Sequence, residues 1–390
     1  MTGREDFVPA PSTVYLSPDV SLKRLESPYA YDRAGDDLFE LTDDAFAYLE
    51  RARDGAPAAE ADPEFLSTCL AEGILVEHQS GPRRSPPVAI GDRPSLRYLL
   101  VHLTRRCNLA CRHCYLGEQA QVDLPMEQVH RLLTEFEAGG GLRLLLSGGE
   151  PLMHPRFWEI DALLPQYDLR AVLLTNGTLI DRETAARLHV HEVQVSLDGM
   201  EASHDALRGD GSFAAALAGL RAAKAAGLQI SVASTVNSLD LNDFDELGEL
   251  VRELDPWQWN IDVPARAGRL AERPELQAPL SEAARVLDHA FASGSHGDNE
   301  GYVCGAHLAA VMPDGDVVKC GLLTEVRGGS VGDGLRNAWR SLPHLHTSSL
   351  GEECRACEVL AQCRGGCRFR AGGLPCEMPD PVQCHRFGIV

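Results

Sequence analysis

From about residue 98 to residue 263, short apolar runs alternate with segments whose apolar positions recur every three or four residues. The runs predict strands at 98–104, 142–146, 169–175, 192–197, 228–235 and 257–263. The segments between them predict helices at about 125–137, 155–164, 181–188, 212–226 and 240–254. Six strands separated by helices build a parallel α/β sheet, because each parallel pairing needs a crossover. The pattern does not distinguish an open sheet from a partial barrel. In either architecture ligands collect at the carboxyl ends of the strands, where polar motifs are therefore to be sought.

A different pattern precedes this core. Residues 1–10 carry no periodicity and are expected to fray. Strand-like pieces at 13–16, 28–31 and 38–41 lead to Thr42, which with Asp43 and Asp44 marks a helix start, and Ala45, Phe46 and Leu49 give that helix an apolar face. A second helix is expected from Pro63 through Phe65, Leu66, Cys69 and Leu70 to Gly73, and Ile74-Leu75-Val76 closes with a strand. Residues 1–80 thus form a small α+β unit of winged-helix kind. Pro82, Pro86, Pro87, Pro94 and Gly91 mark 81–95 as a linker, leaving 96–280 for the α/β core and 281–390 for a third part.

At 390 residues the chain has room for all three. A formal net charge of −21 repels phosphate backbones and argues against a nucleic-acid partner. No apolar secretory stretch follows Met1 and no apolar run is long enough to span a bilayer, so no membrane partner is expected and the reading is a cytoplasmic protein. That reading bears on the 12 cysteines, because in a reducing cytosol clustered thiols are metal ligands more often than disulfides.

The cysteines are unevenly placed. Cys107, Cys111 and Cys114 fall in a loop after the first core strand. Three thiolates can hold three irons of a [4Fe–4S] cube and leave the fourth open, whereas an electron-transferring cube takes four cysteines. Zinc is the competing reading, although it favours four nitrogen or sulfur ligands. The following strand ends carry Ser147-Gly148-Gly149-Glu150-Pro151, Leu174-Thr175-Asn176-Gly177-Thr178, Ser196-Leu197-Asp198-Gly199, and Ser234, Thr235 and Asn237. Each alone reads as a turn; the succession reads as a ligand site.

Together these residues resemble the radical S-adenosylmethionine enzymes over about residues 96 to 264. The resemblance implies an α/β fold with a partial (β/α)6 TIM-like barrel, here flanked by the winged-helix-like unit and the cysteine-rich third part. It implies that Cys107, Cys111 and Cys114 hold a radical-generating [4Fe–4S] cluster whose open iron is chelated by the methionyl amino and carboxylate groups of S-adenosyl-L-methionine. Gly148, Gly149 and Glu150 would meet the methionyl ammonium, Asn176, Ser196 and Asp198 are further candidate cofactor contacts, and His113 would lie near the adenine. The implied activity is reductive cleavage of S-adenosylmethionine to a 5′-deoxyadenosyl radical that abstracts a substrate hydrogen.

Eight cysteines lie between Cys304 and Cys384. Cys304 is followed by Gly315 and Cys320, then by Cys354, Cys357, Cys363 and Cys367 in a C-x2-C-x5-C-x3-C order, then by Cys376 and Cys384. Eight thiols suffice for two four-iron cubes, and a pair of zinc ribbons is the plain alternative. The order is similar to the SPASM extension of radical S-adenosylmethionine enzymes, which implies two auxiliary [4Fe–4S] clusters. By that topology Cys304, Cys320 and Cys367 hold the first, one thiolate short: Cys376 or a non-cysteine ligand completes it, or, the favoured reading, an iron is left open or ligated by substrate. Cys354, Cys357, Cys363 and Cys384 hold the second, with Cys376 the rival for its last place. Sulfatase-maturing members carry an Asp after the second SPASM cysteine; here Cys320 is followed by Gly321, which speaks against that activity.

The N-terminal unit resembles the PqqD-like peptide-recognition domains of ribosomal-peptide pathways, in which a leader peptide adds a strand to a sheet edge. The combined resemblance implies a radical SAM peptide maturase that oxidises or cross-links side chains of a ribosomally made precursor peptide, fed by an electron donor such as flavodoxin or ferredoxin. The alternatives are a tetrapyrrole-modifying SPASM enzyme and a non-catalytic iron–sulfur electron carrier or peptide-binding scaffold. Outside the motifs, Cys69 is expected in a core, His102 as a hydrogen-bonded structural histidine, and Trp257 and Trp259 on one packed strand face.

Overall fold

The computed structural model describes residues 12–79, 91–92, 94–117, 121–292, 296 and 301–389. The expected frayed segment 1–10 and most of the expected linker 81–95 lie outside the described residues.

The chain opens with strands β1 (Thr13–Leu16), β2 (Val20–Arg24), β3 (Pro28–Asp32) and β4 (Asp37–Glu40), followed by helix α1 (Asp43–Ala52), β5 (Ala56–Pro57), α2 (Pro63–Ala71) and β6 (Leu75–Val76). The Thr42 hydroxyl caps α1 by accepting from the Ala45 N–H, and Asp62 caps α2 by accepting from Glu64 and Phe65. β1 lies between β5 and β6, while β2, β3 and β4 form a separate antiparallel sheet. Cys69 is buried in the core of this unit, as expected, and burial pushes its thiol up to about 11. β2 has no sequence signature, because Lys23 interrupts its apolar character. That lysine is nevertheless buried, donating at 3.0 Å to the carbonyls of both Gly141 and Asp168.

The core follows as β7 (Tyr98–His102), α3 (Met126–Ala138), β8 (Arg143–Ser147), α4 (Phe157–Leu163), β9 (Arg170–Thr175), α5 (Arg182–Arg187), β10 (Glu192–Ser196), α6 (Glu201–Arg208), α7 (Ser212–Ala225), β11 (Gln229–Thr235), α8 (Phe244–Leu254) and β12 (Gln258–Asp262). The six strands pair in parallel and in chain order, and both faces are covered. Only α6 was unannounced. Trp259 is buried with its indole N–H donating to Ser234 Oγ at 2.9 Å, but Trp257 precedes β12 and is 44% exposed, so the two do not share a packed face.

The third part contains α9 (Leu280–Val286), β13 (Leu308–Val311), β14 (Asp316–Val318), β15 (Arg327–Ser330) and the short helices α10 (Leu335–Ser341), α11 (Glu352–Arg355), α12 (Leu360–Cys363) and α13 (Pro381–Arg386). β13 pairs in parallel with β7 on the edge away from β8, and β14 and β15 continue the sheet antiparallel. The nine strands run β12-β11-β10-β9-β8-β7-β13-β14-β15. The core sheet therefore crosses residue 280 without a break.

Asp36 fixes the N-terminal unit to the amino ends of the core strands. Its carboxylate accepts from Tyr31 Oη at 2.6 Å and pairs with Arg143 and Arg170, and Arg170 pairs onward with Glu192 at 2.8 Å. The carboxyl ends of β7 to β12 stay clear of this docking.

Candidate active site

The loop after β7 is tied down before it reaches its first thiol. Thr104 Oγ1 donates to Asp123 Oδ1 and accepts from the Arg106 N–H, whose guanidinium also holds Asp123. The loop after β8 then knits to it, Gly149 N–H donating to Thr104 O at 2.8 Å and Glu150 N–H to Arg106 O at 2.7 Å. A Cβ on Gly148 would stand 2.5 Å from Thr104 O, and one on Gly149 would collide with Arg106 O. The glycine pair thus has a reason inside the protein: only glycines let these two backbones touch.

Glu150 is fully buried. Its carboxylate accepts from Thr175 Oγ1 at 2.9 Å and 3.0 Å, from Asn176 N–H at 2.9 Å and from Leu152 N–H at 3.2 Å, joining the ends of β8 and β9. Burial raises it to about 7 against the pull of those bonds. Asn176 Nδ2 donates to Asn108 Oδ1 at 2.9 Å, so the β9 end also holds the cysteine loop.

The three thiols share this loop and none is in a disulfide. Burial raises both Cys107 and Cys111, and the charges of Cys107 and Cys114 both bear on Cys111. Arg269 secures the far side of the loop, its N–H donating to Cys114 O at 2.9 Å and its guanidinium to Cys111 O at 3.2 Å. Among the described residues no three ligands are gathered closely enough to hold a metal as they stand, but three thiols on one short loop, two of which bear on the third, are the donor type and number that suit a four-iron cube with one iron free.

At the end of β10, Asp198 is enclosed. Arg208 Nε donates to its Oδ2 at 2.6 Å, the Thr235 N–H and hydroxyl donate to its Oδ1 at 2.8 Å and 2.9 Å, and His113 Nε2 stands 3.5 Å from Oδ2. Although burial opposes it, Arg208 and then His113 hold this carboxylate well below the usual range. His113 is pulled down to about 4 by burial and then by Arg208, and its Nδ1 is buried without a partner among the described residues. Ser196 is half-buried at the same strand end, and Asn176 is buried. Sequence reasoning missed Arg208, which sits on the unannounced α6; the Arg112 N–H donates to Leu207 O and brings that helix against the cysteine loop.

The C-terminal thiols separate into two groups. Burial pushes Cys304 up to about 11, and the charges of Cys367 and Cys320 add to the shift. Cys354 and Cys357 bear on both Cys363 and Cys384, and Cys363 also bears on Cys384. Cys376 lies in an apolar cluster with Val303, Leu350 and Cys354. Contrary to expectation, His102 is not hydrogen-bonded: neither ring nitrogen has a partner among the described residues. Between the cysteine loop and the third part lies a cavity of about 330 Å³ whose lining includes Arg105, Tyr115, Met312, Val318 and Gly321. A groove of about 800 Å³, lined in part by Pro264, Arg266, Pro279 and Arg370, adjoins it, with Glu325 and Phe369 on the wall of both.

The description Radical SAM superfamily matches residues 101–254. Mycofactocin maturase MftC of Mycobacterium ulcerans is 33% identical over 328 residues, covering 74% of this chain and 88% of that protein. An AdoMet-dependent heme synthase of Nitratidesulfovibrio vulgaris is 26% identical over 339 residues, covering 73% of this chain and 92% of that one. The crystal structure of Streptococcus suis SuiB bound to precursor peptide SuiA superposes with a TM-score of 0.66 at 14% identity, covering 95% of this chain and 99% of that chain. The likeness shows the fold: a partial TIM-like barrel with N- and C-terminal additions.

Proposed function

Because the chain belongs to the radical SAM superfamily, we propose that it is a peptide maturase that oxidises or cross-links side chains of a ribosomally made precursor peptide. The similarity to mycofactocin maturase MftC over most of that protein's length carries the reading. The cofactors are S-adenosyl-L-methionine and a [4Fe–4S] cluster, and the cysteine-rich third part is consistent with auxiliary clusters. When bound, they supply a one-electron reductive route to hydrogen abstraction from an unactivated C–H bond.

The chain's own residues would hold and shield that chemistry. Cys107, Cys111 and Cys114 are proposed as the ligands of the radical-generating cluster, with Gly148, Gly149, Glu150, Asn176, Ser196, Asp198 and His113 around the cofactor. Glu150 and Asp198 accept hydrogen bonds from within the protein and Asn176 donates to Asn108, which supports a role in fixing the loops that carry the thiols. Cys304, Cys320 and Cys367 are proposed for the first auxiliary cluster, and Cys354, Cys357, Cys363 and Cys384 for the second. Cys376 is not among the thiols that chiefly bear on Cys363 and Cys384, which supports leaving it out. The adjoining cavity and groove offer an extended path that suits a peptide better than a compact ligand.

We assign 1–80 as the peptide-recognition unit, 81–95 as linker, 96–280 as the radical SAM core and 281–390 as the auxiliary-cluster domain. A leader peptide would add to the outer edge of β4, an electron donor such as flavodoxin or ferredoxin would supply electrons, and the protein would work in the cytoplasm. Among the described residues no helix is long and apolar enough to cross a membrane. The test is anaerobic reconstitution followed by assay of candidate precursor peptides taken from small open reading frames near the gene. About twelve irons per chain for three cubes, together with peptide-dependent loss of hydrogens by mass spectrometry, supports the proposal; bound zinc or an unmodified peptide overturns it. The similarity to a heme synthase keeps tetrapyrrole modification as the second reading, and conversion of a coproporphyrin in the same assay would favour it.

A further inference from the structure

Arg368 follows Cys367 and is buried, with 1% of its surface exposed. Among the described residues its guanidinium makes one hydrogen bond, from Nη1 to Met378 O at 3.0 Å, and the buried Nε and Nη2 have no partner. That one acceptor is neutral. The carboxylate of this turn is already taken: Asp380 accepts from the Cys367 N–H at 2.7 Å and pairs with Arg370 at 2.9 Å. A guanidinium cannot shed its charge to escape burial as a lysine can, so an enclosed one without a counter-ion is costly to hold in a fold. Its place here calls for an anion other than a carboxylate.

The surroundings of the guanidinium belong to one thiol group. A Cβ on Gly365 would stand 3.4 Å from Arg368 Nη2 and 2.9 Å from Leu350 Cδ1, so the guanidinium end lies at that glycine. Gly365 closely follows Cys363 in the chain, and its N–H works against burial at the Cys363 thiol. Leu350 lies in the apolar cluster that contains Cys354. Burial raises the Cys354 thiol, and the Arg368 charge is the first influence opposing it. Both thiols are among those assigned above to the second auxiliary cluster. A cube held by four thiolates is an anion that grows more negative when it takes an electron, and net charge is one of the settings of its potential. The chain thus keeps a fixed buried cation beside thiols that would hold such an anion.

We propose that the Arg368 guanidinium is the buried counter-charge of the second auxiliary cluster and holds its reduction potential up, favouring the reduced form. The inference rests on the assignment of Cys354, Cys357, Cys363 and Cys384 to that cluster. Arg368 acts through the cluster's charge and touches no substrate, so it is not a catalytic residue. Arg355, next to Cys354 in the chain, could not serve in its place, because it is exposed and a charge in water is screened.

Redox titration of the anaerobically reconstituted full chain, followed by electron paramagnetic resonance, tests this without any peptide. Arg368→Gln is expected to make one reduction step about tenfold less favourable, or ~59 mV lower for one electron, the scale of a unit charge inside a protein. Cys384→Ala is expected to remove that same step. Arg368→Lys, which keeps the charge, is expected to return most of the shift, which a role in packing alone would not produce. Unmoved steps in a fully loaded Arg368→Gln chain overturn the proposal. So does a shift in a step that Cys384→Ala leaves in place, or an Arg368→Lys chain shifted as far as Arg368→Gln. Should Arg368→Gln fail to load the second cluster, wild-type iron content in Arg368→Lys supports the need for charge, and an iron deficit in both overturns it, because shape is then what the site requires. If Cys384→Ala removes no step, the ligand assignment fails and takes this inference with it; unmoved steps in a chain that does lose one with Cys384→Ala overturn the inference alone.

Discussion

Arg208 Nε donates to Asp198 Oδ2 at 2.6 Å, and both groups are shut away from solvent where α6, the β10 end and the cysteine loop meet. Truncating the arginine would strand an enclosed carboxylate whose other nearby bases, His113 and His204, are both neutral near pH 7. Arg208→Met is therefore expected to cost about 3–5 kcal/mol of stability, the usual consequence of breaking one partner out of a buried pair. The shift in the urea midpoint measures it, and an unshifted midpoint would mean that the pair does not support the loop.

The thiol groups predict different outcomes for two neighbouring cysteines. The charges of Cys363, Cys354 and Cys357 bear on Cys384, whereas Cys376 lies in an apolar cluster with Val303, Leu350 and Cys354 and is not among the thiols that chiefly bear on Cys363 or Cys384. Cys384→Ala is expected to lower the iron content of the reconstituted chain by about four atoms, one cube, and Cys376→Ala to leave it unchanged. Colorimetric iron analysis with electron paramagnetic resonance checks both, and the reverse result would make Cys376 the ligand.

Lys23 gives a pH test of how the N-terminal unit is docked. Burial lowers its ammonium to about 8, from an ordinary value of 10.5 that it regains on unfolding. Between those two values the unfolded chain binds more protons, so stability rises with pH across that window and the penalty for burying the charge is fully present below pH 8. Lys23→Met is expected to remove this rise. Chemical denaturation at pH 7.5, 9 and 10.5 checks it, and parallel curves for the two proteins would show that Lys23 is not the group responsible.

The periodic part of the chain was legible because the core strands are apolar on both faces and their helices are amphipathic: β7 to β12 and the intervening helices fall where the pattern puts them, apart from α6. The losses have physical causes. β2 escaped because its third interior position is a lysine satisfied by carbonyls 118 and 145 residues away. β13 is only Leu308-Ala309-Ala310-Val311, too short to carry a period, and is a strand because β7 offers it an edge. Spacing brought forward the thiols and the glycines, but not that the glycines serve contact between two loops, nor that Glu150 and Asp198 are enclosed by Thr175, Asn176, Arg208 and Thr235. Those partners come from other strands, so no local pattern announces them.

The same register argument makes the sheet-edge proposal testable. Among the described residues β4 pairs only with β3, with Tyr29 opposite Glu40 and Ala30 opposite Phe39. The Leu41 N–H donates to Pro28 O, and antiparallel pairs alternate, so the Glu40 N–H points away from β3 toward the open edge. Glu40 is also exposed at the strand's end, where proline is tolerated. Glu40→Pro thus removes an edge donor and no bond of the sheet. It is expected to weaken binding of the precursor peptide identified in the reconstitution assay about tenfold, as loss of one or two main-chain hydrogen bonds would, while leaving the melting temperature unchanged. Fluorescence anisotropy with the labelled peptide measures the affinity. Removing the whole N-terminal unit would be a poorer test, because Asp36 and Lys23 tie it to the core and their loss would disturb the barrel itself. Wild-type affinity in a folded Glu40→Pro protein would place the leader somewhere other than this edge.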